Sequence, residues 1–147
     1  MKPVISLSLV VALGVALTAR AEDAKFDASK MEGKWTYVSG KKAGADSAKE
    51  ALMGTVEITK DKITIPGPDG KSFSIGYKLD VKPSPVKVDL EILDGDFKGG
   101  MAEGIIELKD DELKICYGLT SMGGKRPEKF ESTKDNGAHY FVLKRKK

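Results

Sequence analysis

EGKWTYVSG, residues 32–40, contains the single tryptophan of a 147-residue chain. Trp35 and Tyr37 alternate with smaller or polar neighbours, which predicts a strand over 34–39 with both rings on one face. Gly33 stands two residues before the indole. A Gly-x-Trp at the head of a first strand poses the question for the whole molecule: does the indole close one end of a barrel, and does anything fit above it?

The same period-two pattern recurs downstream. Folding TVEITKDKITIPG (55–67) about Lys60 and Asp61 sets Ile58 opposite Ile63 and Val56 opposite Ile65, leaving Glu57, Thr59, Lys62 and Thr64 on the other face. In SFSIGYKLD (72–80), Phe73, Ile75, Tyr77 and Leu79 share a face. In VKVDLEIL (86–93), Val86, Val88, Leu90 and Ile92 alternate with Lys87, Asp89 and Glu91. MAEGIIELKDDELKICYG (101–118) reads as a second hairpin pairing Leu108 with Leu113 and Ile106 with Ile115. A long segment then crosses back, with a brief strand predicted at Phe130, before the last strand, AHYFVLKRKK (138–147). Between the first strand and the first hairpin, a loop over 40–46 leads to SAKEALMG (47–54). There Ser47 and Glu50 have capping-box spacing and Gly54 supplies a stop, which predicts one short helix. Eight sequential antiparallel strands predict an all-β, up-and-down eight-stranded barrel, which closes on itself and so leaves no exposed edge. A two-sheet sandwich is the rival, because alternation does not say whether the first and last strands meet.

Upstream of Trp35 the character changes. Lys2 and the amino terminus supply positive charge, Val4 to Leu17 is almost wholly apolar, and Ala19-Arg20-Ala21 has small-x-small form. That is the layout of a secretory signal peptide over 1–21, and the apolar run is shorter than the roughly 20 residues that span a membrane. The domain organisation expected is signal peptide 1–21, linker 22–30 and barrel domain 31–147, with no membrane attachment after cleavage and a periplasmic or secreted destination. Loss of Lys2 and Arg20 takes the formal charge from +3 to +1. The terminal KRKK is a solvated basic end and acids alternate with lysines elsewhere, so nucleic acid is not an expected partner. Cys116 is the single cysteine, which excludes an internal disulfide, and within LKICYG it reads as a buried strand residue.

Gly33-x-Trp35 in the first strand, with Arg145 near the end of the last, resembles the lipocalin pattern, in which the arginine lies across the tryptophan and closes the barrel base. EGKWTYVS, GYKLD followed by proline and VDL, GIIELKDDELKIC, Arg126-Pro127 before Phe130, and the closing VLKR together resemble a planctomycete family of small secreted lipocalin-like proteins of uncharacterised function. The resemblance spans residues 32–145. It implies a lipocalin-like barrel with Gly33, Trp35 and Arg145 as its structural base, and implies no activity. The mid-chain Thr-Asp-Tyr-type lipocalin signature is not evident, so the resemblance speaks to fold more than to transport.

The residue inventory predicts a non-enzyme. His139 is the one histidine and stands at the entrance to the last strand, where a hydrolase triad would need it near Cys116 or a serine, with an orienting acid. With one Cys and one His, a zinc site is not expected, and Asp94 with Asp96, or Asp110, Asp111 and Glu112, read as solvated turns rather than calcium loops. Asp89 and Glu91 fall on a polar strand face. No cofactor motif is present, and none is expected.

Two functions remain. The first is binding of a small apolar ligand in a monomeric barrel, with Tyr37, Phe73, Ile75, Tyr77, Leu90, Ile106 and Tyr117 as candidate lining. Against it stands the ordinary role of such residues as filled core. The second is a secreted interaction module that contacts a protein partner through the long segments 40–47 and 118–138. Arg126 is then the first contact to test, unless Arg-Pro braces the loop against the barrel. The interior volume separates the two: an empty cavity near the tyrosines favours a ligand.

Overall fold

A computed structural model describes residues 26–67 and 70–147; the expected leader, 1–21, lies outside them. Nine strands follow one another: β1 (Gly33–Lys42), β2 (Ala45–Asp46), β3 (Thr55–Ile58), β4 (Lys62–Pro66), β5 (Ser72–Asp80), β6 (Val86–Ile92), β7 (Met101–Lys109), β8 (Glu112–Gly118) and β9 (His139–Arg145). All pairings are antiparallel and make a single sheet in the order β2-β1-β3-β4-β5-β6-β7-β8-β9, and β1 also pairs with β9. Eight strands, β1 and β3 to β9, therefore form a closed up-and-down barrel, consistent with a lipocalin-like barrel; the sandwich is excluded because its terminal strands would not meet. The two-residue β2, expected as loop, turns back along the extended upper end of β1.

The hairpin registers follow from the apolar pattern. Ile58 faces Ile63, Leu108 faces Leu113 and Ile106 faces Ile115. A slip of one residue would turn each apolar row outward, which fixes the register.

Three expectations give way to tertiary structure. The short helix is only a 3-10 turn over Lys49–Leu52, and its N-cap is Ala48 rather than Ser47. The Ser47 amide instead donates to the Gly40 carbonyl at 2.8 Å, which ties this residue to β1 and removes it from the capping position. No strand forms at Phe130, which packs from outside the barrel on Ile105, Cys116 and Ala138. And the residues read as the end of a linker belong to the domain: Phe26 packs on the core, and a 3-10 turn over Ala28–Met31 carries Met31, fully buried.

The base is closed as the Gly-x-Trp pattern implies. Trp35 is fully buried and its indole N–H donates to the Met31 carbonyl at 2.8 Å. Arg145, the register partner of Trp35 across β1 and β9, stacks on the indole and donates to the backbone carbonyls of Glu32 and Lys30. Gly33 has φ +131°, and a Cβ there would come within 3.2 Å of the guanidinium, so glycine serves both the backbone and the approach of Arg145.

Outside the barrel, the segment after β8 is strapped across β6 and β7. Arg126 donates to the carbonyls of Val88 and Gly104 and pairs with Asp89 at 2.6 Å and Glu103 at 3.2 Å. Of the two roles open to Arg126, bracing is the one its side chain performs. Beneath the strap Cys116 is fully buried, its thiol donating to the Glu131 carbonyl at 3.4 Å, and burial pushes its pKa up.

Candidate functional site

Above the base the barrel is not filled. A cavity of about 800 Å³ occupies its interior and reaches the end opposite Trp35, where the segments 48–54 and 66–67 border it. This volume lies within the range of small-molecule sites, roughly 300–1,000 Å³. Its walls are the inward rows that alternation dictates: Val56 and Ile58 from β3, Ile63 and Ile65 from β4, Phe73 and Ile75 from β5, Leu90 from β6, Ile106 from β7, Leu113, Ile115 and Tyr117 from β8.

Six of the seven lining residues expected from sequence, Tyr37, Phe73, Ile75, Leu90, Ile106 and Tyr117, line the cavity. Tyr77 does not. It is buried in the core and its hydroxyl donates to the Thr59 carbonyl at 2.6 Å, toward the turn at the base. Burial pushes its pKa up, with Glu32 and Asp61 adding to the shift.

The sequence reading missed Phe141, which alternation along β9 sets on the face of Leu143, and Lys42, which an irregularity of β1 brings in. The β1–β9 register shifts between Tyr37 and Ser39, a bulge that leaves Val38 outside and 59 % exposed. Beyond it the parity of β1 is reversed: Gly40 and Lys42, rather than Ser39 and Lys41, now face inward. Gly40 is needed there, because a Cβ would lie 2.7 Å from the Phe141 ring and 2.8 Å from Leu52. Phe141 crosses this gap and meets the cavity. No local sequence signal marks the bulge.

One wall is aromatic. Tyr37 and Phe141 rings lie 5.6 Å apart, Phe141 and Tyr117 6.2 Å, and His139 stacks on Tyr117 at 5.0 Å. Burial pushes the Tyr37 phenol up to about 12 and the Tyr117 phenol higher still, with Tyr37 a second cause for the latter, so both remain protonated donors at neutral pH. His139 is held below its ordinary range by burial first and by Lys42 second, and its buried Nδ1 has no hydrogen-bond partner. Among the described residues, charge enters the lining at the rim, with Lys42 and Glu50.

Among the described residues no group of three or more His, Cys, Asp or Glu side chains is placed to hold a metal ion. Asp94 accepts from the Ser74 amide at 2.9 Å, and Asp111 pairs with Arg145. Compared with family models, curated proteins and solved structures, the chain finds no match.

Proposed function

We propose that this protein is an exported barrel that binds a small apolar ligand in its interior, as a monomer and without catalysis. The observation that carries the reading is the cavity of about 800 Å³, walled by aliphatic side chains and bearing Tyr37 and Tyr117. Filling so large a volume with a dry apolar molecule removes both its surface and the wall from water, at about 25 cal/mol per Å². A water-filled interior forgoes that gain. Export is supported by the leader-like composition of residues 1–21, and action in the periplasm or outside the cell follows from it.

Native mass spectrometry of protein purified from its original host tests the reading, alongside titration with the neutral fluorophore phenylnaphthylamine. A co-purifying small molecule, or saturable binding of one fluorophore per chain, is expected. A ligand-free mass together with no saturable binding overturns it.

A second reading, contact with a protein partner, is favoured by the exposed apolar side chains Phe97 and Met122, 71 % and 74 % exposed. They stand on neighbouring loops at the cavity end of the barrel, joined where the Met101 amide donates to the Ser121 hydroxyl. Pull-down with the parent and with a Phe97→Ser, Met122→Ser variant separates that reading from ligand binding, which these substitutions leave intact.

A further inference from the structure

We propose, building on the ligand-binding reading, that the ligand is an uncharged molecule carrying a carbonyl oxygen, and that Tyr37 and Tyr117 donate hydrogen bonds to it.

The starting point is a contrast between three tyrosines in one barrel. Tyr77 has its hydroxyl hydrogen off-loaded onto the Thr59 carbonyl. Tyr37 and Tyr117 line the cavity, and among the described residues neither hydroxyl has a hydrogen-bond partner. A phenylalanine would cover the same wall without setting a polar atom in an apolar space, where an unmade hydrogen bond is costly. Two such hydroxyls on one wall are accounted for by an occupant that supplies the missing acceptor.

The chemistry of the acceptor follows from what surrounds it. Both phenols hold their protons at neutral pH, so they offer hydrogens and call for a lone pair. A carboxylate or phosphate would shed its water against a wall that is otherwise apolar, and among the described lining residues the single cation, Lys42, is offset by Glu50. A carbonyl meets the need: it accepts two hydrogen bonds and carries no charge.

A matched pair of probes tests this: a dimethylaminonaphthalene carrying a propionyl group, and its analogue carrying propyl in the same place. The ketone is expected to bind the parent about tenfold tighter than the alkyl analogue, the value of about one net hydrogen bond. Its emission, which moves to longer wavelength when the carbonyl accepts a hydrogen bond, is expected to shift back to shorter wavelength in the Tyr37→Phe, Tyr117→Phe variant. That variant is expected to bind the alkyl analogue at least as tightly as the parent and to keep its urea midpoint, since it loses only unpartnered hydroxyls. Equal affinity of the two probes for the parent, or unchanged ketone preference and emission in the variant, overturns the inference while leaving ligand binding standing. Failure of both probes to bind saturably overturns the ligand-binding reading and this inference with it.

Discussion

The Arg145 guanidinium carbon sits 4.4 Å from the centre of the Trp35 ring system, and the two residues are also register partners across the seam that closes the barrel. One pair thus joins the first strand to the last and closes the barrel end below the cavity. The arginine's planar fork is what allows it to stack and donate at once, which a lysine ammonium does not reproduce.

Trp35→Ala is therefore expected to destabilise the fold by about 3–5 kcal/mol, the cost of truncating a large core residue. Arg145→Lys, which keeps the charge, is expected to cost about 1–3 kcal/mol through the carbonyl bonds it abandons. Urea midpoints measure both. A Trp35→Ala midpoint equal to the parent's shows that the indole is not a structural plug.

Arg126 holds the strap that covers Cys116, through two carbonyls and two carboxylates. Arg126→Ala is expected to cost about 1–3 kcal/mol and to loosen the strap locally. Because the thiol is fully buried, labelling by an aromatic disulfide reagent requires the strap to open. Each 1.4 kcal/mol lost by the closed strap raises the labelling rate about tenfold. An unchanged rate in the variant means that the apolar contacts of Phe130 and Tyr140, rather than Arg126, keep the strap shut.

The barrel was largely legible because its physics is periodic. Solvent on one side and an apolar interior on the other imprint period two on β3 to β9, and charged turns such as Lys60-Asp61 mark where the chain reverses. Closure was legible only through Gly33, Trp35 and Arg145, since alternation carries no information about which strands meet at the seam. What escaped was decided by contacts distant in sequence. Ser47 and Glu50 have the spacing of a capping box, yet a hydrogen bond to Gly40 overrides it. The strap left a trace that is readable afterwards: the doublets Ile105-Ile106 and Ile115-Cys116 break alternation because β7 and β8 are covered on both faces there. The cavity itself left none. An inward row of Ile, Leu and Tyr looks the same whether the rows across from it touch or stand apart.

His139 makes stability depend on pH. Its pKa lies below the ordinary 6.5 in the folded chain, so between the two values the unfolded chain binds more protons. Stability is fully present above about pH 6.5 and falls as the pH drops through the folded-state value. Urea midpoints taken from about pH 8 down to about pH 5 are expected to fall in the parent and to fall less in His139→Gln. The Asp27 carboxyl, held below its usual range by hydrogen bonds from Ser29, loses its contribution in a more acid window and does not mask the effect. Equal slopes in parent and variant show that His139 takes its proton freely in the fold.

Ile115 distinguishes an empty interior from a filled one. Its side chain is buried on β8 and faces the cavity. In a close-packed core, enlarging a buried isoleucine to phenylalanine forces neighbours off their rotamers and costs about 1–3 kcal/mol. Here the added atoms have somewhere to go, and the ring gains dispersion contacts with walls that otherwise face a void. Ile115→Phe is therefore expected to keep stability within about 0.5 kcal/mol of the parent while weakening phenylnaphthylamine binding about tenfold, because ring and fluorophore compete for one space. The opposite pattern, a full overpacking penalty with binding unchanged, would mean that the rows from facing strands touch and that any ligand binds elsewhere. Measuring the two quantities on one variant makes the test independent of any assumption about what the natural ligand is.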